Sequence, residues 1–161
     1  MKVFVSHQKA DSSLASKIAG HLKYKHQIDC YLDLVDPNAS QTGDELGEYL
    51  RNEMGQCTQL MAVVSANTKG SWWVPWEIGV ATEKDFPIVT FSGDNTSLPE
   101  YLKKWPYLKT EQDLNSYAIA SKAAKQQYNA KKRSPYSFDS ANAQHSSTQE
   151  FYRTIRAKLG Q

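Results

Sequence analysis

The sequence is poor in several things, and each shortage excludes something. It has only two cysteines, Cys30 and Cys57. They form no CxxC pair and show no metal-ligand spacing, which excludes a disulfide framework and a zinc module. Reduced thiols in a cytoplasmic protein are the expectation. No window approaches the roughly 18 consecutive apolar residues of a membrane-spanning helix. Met1-Lys2-Val3-Phe4-Val5-Ser6-His7 runs straight into a strand-like segment, without the apolar region or cleavage site of a leader. The formal net charge is only +2, too small to imply nucleic acid. GxGxxG, GxxxxGK[ST] and GxSxG are all missing, which excludes a Rossmann fingerprint, a P-loop and a nucleophile elbow. His7, His21, His26 and His145 show no ligand pattern, so no metal is expected, and His26 reads as a surface residue. There is no internal repeat.

What is present is a chain of 161 residues, 40% hydrophobic and 11% aromatic. That is too apolar for a disordered polypeptide and long enough for one core. The mean hydropathy of −0.63 must therefore come from an unusually polar stretch. Charge is uneven: residues 1–80 hold 7 Lys+Arg and 9 Asp+Glu, and residues 81–161 hold 12 and 8. The expected organisation is a single domain over 1–161. Residues 1–110 form an α/β body, and residues 111–161 a helical appendage with a polar loop at about 134–147.

Short apolar runs alternate with amphipathic stretches through the body. Val3-Phe4-Val5 reads as a strand. Leu14, Ile18 and Leu22 stripe a helix over 11–26, with Asp11 as its N-cap. Residues 28–32 read as a second strand, and Asp36-Pro37-Asn38 as a turn. Thr42 to Glu45 fits a capping box before the helical face Leu46, Tyr49, Leu50, Met54. Leu60 to Val64 reads as a strand buried on both faces. Pro75 marks the start of the next helix, because proline is tolerated only in the first turn, and Glu77, Ile78, Val80 and Ala81 continue it. Pro87 to Phe91 is another buried strand, Ser97 to Glu100 opens a short helix, and Tyr107-Leu108-Lys109 is a short fifth strand. This order implies a parallel five-stranded sheet with helices on both faces, a flavodoxin-like three-layer sandwich. Residues 112–130 read as a helix with Leu114, Tyr117, Ala118, Ser121, Ala124 and Tyr128 on a weak stripe. Lys131 to Pro135 is expected to break it, and 137–147 to be loop. A capping box at Ser147 to Glu150 would then open a last helix that docks Phe151, Ile155 and Leu159.

Ligands of such sheets sit beyond the carboxyl ends of the strands. The polar residues there are Ser6 and His7, Asp33 and Asp36, Ser65, Asn67 and Thr68, and Ser92 and Asp94. The densest feature is Ser71-Trp72-Trp73-Val74-Pro75-Trp76-Glu77. Glu77 lies just inside a helix N-terminus, where the dipole favours its ionised form. Trp73, four residues earlier, shares its face.

Together these motifs resemble Toll/interleukin-1 receptor (TIR) domains. The residues are Val3 to His7 before a helix, Tyr31-Leu32-Asp33 with the loop 34–42 as second strand and BB loop, and Ser71-x-Trp73-x-x-x-Glu77 as the helix-C motif. The match covers about residues 1–110. Val74 and His7 depart from the usual cysteine and aromatic residue. The resemblance implies cleavage of NAD at the nicotinamide–ribose bond, with NAD as substrate and no cofactor. Glu77 would be catalytic, with Ser6, His7, Asp33, Ser65 and Trp73 as substrate contacts. A small stand-alone chain resembles the bacterial TIR proteins of Thoeris antiphage systems, which implies a cyclic ADP-ribose isomer made for a separate effector, and homotypic self-assembly. Two other readings stay open: a scaffold acting through the loop at Asp36 and Pro37, and a nucleoside deoxyribosyltransferase-like enzyme.

Overall fold

A computed structural model describes residues 1–32, 43–93, 98–133 and 140–161. Five strands, β1 (Lys2–Ser6), β2 (Asp29–Leu32), β3 (Gln59–Val63), β4 (Ile88–Phe91) and β5 (Tyr107–Leu108), form one sheet. Its order is β2-β1-β3-β4-β5, and all four pairings are parallel. This is the flavodoxin-like order, which reverses direction between β1 and β3. The strands alternate between two cores. Val3, Val5, Met61 and Val63 face a layer built on α1 (Ser12–His26), α4 (Glu111–Arg133) and α5 (Ser140–Leu159). Phe4, Leu60, Ala62 and Val64 face α2 (Gly43–Gly55) and α3 (Trp73–Glu83). Every residue of β3 and β4 is buried, as a central strand between two helical layers must be.

Several local expectations are corrected. Asp11 makes no cap hydrogen bond to α1; a single 3-10 turn, Lys9–Asp11, enters that helix, and the Asp11 carboxylate is spent elsewhere. Tyr49 is 41% exposed and accepts a hydrogen bond from Tyr31 Oη at 3.2 Å, so it is Leu46, Leu50 and Met54 that α2 buries in the core. Helix α3 begins two residues before Pro75, with Ser71 Oγ accepting from Val74 N at 3.1 Å. His26 is half-buried: its Nε2 and that of His21 lie 2.7 and 2.8 Å from Asn115 Oδ1. The Thr42 capping box and Ser97 lie outside the described residues.

The C-terminal third differs most. Lys131 to Arg133 continue α4 rather than break it, because cations are favourable in the last turn of a helix. A capping box opens α4: Asp113 N donates to Thr110 Oγ1 at 3.2 Å, and Thr110 N to Asp113 Oδ2 at 3.0 Å. Residues 140–147 belong to α5 and are not loop. Hydroxyls at the end of this stretch and just beyond it act between elements: Ser147 Oγ donates to Ala124 O at 2.8 Å, and Thr148 Oγ1 to Asp85 O at 2.9 Å. Phe151 and Ile155 are fully buried in the α1/α4 layer.

Candidate active site

Strand β1 ends on Ser6, beside Ala62 of β3. The strand alternation that turns Phe4 toward α2 and α3 turns Ser6 the same way. Ser6 is fully buried, and its hydroxyl donates to Glu77 Oε2 on α3. Glu77 is itself only 2% exposed. A carboxylate so far from water must be held by donors, and 71 residues of sequence separate this pair. The contact lies where the strand order reverses, which is where open α/β sheets bind ligands.

The three tryptophans divide. Trp73 and Trp76 pack against the α2/α3 core, edge to face with centroids 5.6 Å apart. Trp72 is 89% exposed. Trp73 stands one helical turn from Glu77 on α3. At the tip of β1, His7 Nδ1 lies 3.0 Å from Val5 O. Its Nε2 is buried with no hydrogen-bond partner among the described residues. A neutral ring that donates through Nδ1 leaves Nε2 as an acceptor.

Ser65 has a different local task. It caps the 3-10 turn after β3, accepting from Asn67 N at 3.1 Å, and its Oγ donates to Asp11 Oδ2 at 2.8 Å. Asn67 Nδ2 reaches Asp11 Oδ1 at 3.3 Å. Asp11 thus ties the turns after β1 and β3 together, a role the sequence signalled only as a cap. Trp76, which the sequence offered only within the tryptophan motif, packs on Trp73 and the core. Thr68 is buried in the same capping box and Ser92 is buried. Asp33, Asp36 and Asp94 lie outside the described residues.

So the structure brings Ser6 and Glu77 into contact, places Trp73 one helical turn from Glu77 on α3, and engages Ser65 with Asp11 and Asn67. Residues 3–126 match the TIR domain family. This chain belongs to the TIR domain family. Over 125 residues the TIR chain is 29% identical to the probable 3' cyclic ADP-D-ribose synthase ThsB' of Bacillus cereus (strain MSX-D12), an alignment covering 71% of this chain and 63% of that protein. The TIR chain therefore spans under two thirds of that relative's length. No helix among the described residues is long and apolar enough to cross a membrane, and no described group of three His, Cys, Asp or Glu side chains could hold a metal ion.

Proposed function

We propose that this TIR protein cleaves NAD at the nicotinamide–ribose bond and closes the remainder into a cyclic ADP-ribose isomer, an antiphage signal for a separate effector. The observation that carries the reading is the buried Glu77 carboxylate, fixed by Ser6 at the sheet's switch point. The name of the Bacillus cereus relative supports the same chemistry.

Nicotinamide leaves as a neutral base, because its ring nitrogen enters the reaction positively charged and takes the electron pair of the broken bond. No general acid is required. The ribose carbon becomes cation-like, as in glycoside hydrolysis. A carboxylate already held in place stabilises that charge without reorganising. In this reading Glu77 is the catalytic residue and Ser6 fixes its orientation. Trp73 stacks on the substrate and keeps water out, and His7 Nε2 accepts a hydrogen bond from it. Asp33 remains a proposed contact on the second strand. Excluding water favours capture of the cation by a nucleophile of the same molecule, which gives a ring; capture by water gives linear ADP-ribose. Self-assembly would complete the site, and the cytoplasm would supply the NAD. A desolvated carboxylate costs several kcal/mol, which favours a chemical task for Glu77 over a scaffold without one.

Mass spectrometry of NAD incubated with concentrated protein tests the proposal. Wild type is expected to release nicotinamide and an ADP-ribose isomer of cyclic mass. Glu77→Gln is expected to lose at least about 100-fold in rate while keeping its circular dichroism spectrum. Equal nicotinamide release by both would overturn the assignment.

A further inference from the structure

At the opposite end of the sheet from Ser6 and Glu77, where β4 starts, a cleft of about 380 Å³ opens between the C-terminus of α3, the segment before β5, and α5. That volume lies within the range of small-molecule sites. Its apolar part is Phe86, Ile88 and Trp105, and its polar part is rich in donors. Lys104 Nζ lies 4.3 Å from the centroid of the Trp105 ring. Arg156 uses one guanidinium N–H on Lys104 O. Neither cation has a carboxylate partner among the described residues. Asp85, the carboxylate lining this cleft, faces His145 Nδ1 at 3.2 Å.

Tyr152 adds a third donor. Its hydroxyl oxygen accepts from Ile88 N at 2.9 Å. What remains is its proton, which has no acceptor among the described residues. Burial pushes the Tyr152 phenol above its ordinary range, which keeps that proton in place.

We propose that this cleft is a second ligand site, taking a small phosphate-bearing molecule with a flat ring, of the mononucleotide class. A tetrahedral phosphate accepts from several directions at once and carries the charge that an ammonium and a guanidinium complement. The ring would lie on the Phe86 and Ile88 side. The site is separate from Glu77 and does not rest on the activity proposed above.

Titration of the labelled full chain with AMP, followed through the tryptophan indole N–H signals, tests it. AMP is expected to shift the Trp105 signal saturably and leave those of Trp73 and Trp76 in place. Inorganic phosphate should compete, and adenosine should bind at least about tenfold more weakly. Lys104 is exposed, so Lys104→Glu should fold normally and weaken AMP by about tenfold or more. The proposal is overturned if AMP leaves Trp105 unmoved, if adenosine binds as well as AMP, if phosphate does not compete, or if Lys104→Glu binds AMP like wild type.

Discussion

Glu77 is only 2% exposed, so what the Ser6 hydroxyl does there matters. A hydrogen bond to a charged group contributes about 1.5–3 kcal/mol. Ser6→Ala is therefore expected to lower kcat for nicotinamide release by roughly 10- to 100-fold. If Ser6 acts through Glu77, the double variant Ser6→Ala/Glu77→Gln should be no slower than Glu77→Gln alone. Additive losses would instead give Ser6 a substrate contact of its own. The two free thiols make a separate case. Burial pushes Cys30 from 9.0 to about 12 and Cys57 from 9.0 to about 11, and the buried Tyr117 phenol also moves up. Groups raised on folding contribute stability that is complete below their unfolded pKa and is lost as pH rises through the folded one. The melting temperature should thus be level from neutral pH to about 9, then fall between 9 and 11, with part of that slope removed in Cys30→Ala. Native thiols should resist alkylation at pH 8, because little thiolate is present.

Among the elements, legibility followed periodicity. Strands β3 and β4 were plain because burial on both faces leaves an unbroken apolar run. The position of α3 could be read from Pro75 and the spacing of Trp73 and Glu77. Helix α5 was half hidden. The stretch ending at Ser147 looks like loop because its polar side chains answer partners distant in sequence, Ser147 on Ala124 and Gln144 and His145 on Asp85, and no local rule supplies those. The Ser6–Glu77 contact was legible only as two separate candidates, since topology alone brings residue 6 to residue 77. The Asp11–Ser65–Asn67 tie was hidden for the same reason. Helix α5 is nonetheless a core element: Phe151 is fully buried against Tyr117, edge to face at 5.9 Å. Phe151→Ala should cost about 3–5 kcal/mol in denaturant unfolding. Ile119→Ala, on the exposed face of α4, should cost under about 0.5 kcal/mol.

For the molecule as a whole, the match to the TIR family ends at residue 126, but the hydrophobic core does not. Phe151 and Ile155 belong to the same buried cluster as Val5, Met61 and Val89. Tyr117 Oη and Ser121 Oγ, on the neighbouring α4, both donate to Gln59 Oε1 at the start of β3, at 2.5 and 2.9 Å. Removing α5 would uncover the cluster under that polar pair. Each fully buried side chain of this size contributes about 1.5–3 kcal/mol, and a domain is stable by only about 5–15 kcal/mol. A chain ending at Arg133 is therefore expected to lose cooperative unfolding and expose apolar surface to a fluorescent dye, although it keeps every residue matched to the family. If residues 1–133 instead melt as sharply and as high as the full chain, α5 is an attachment to a self-sufficient TIR body. Loss of folding would mean that in this protein the sheet bearing Glu77 is completed by a helix lying beyond the matched residues.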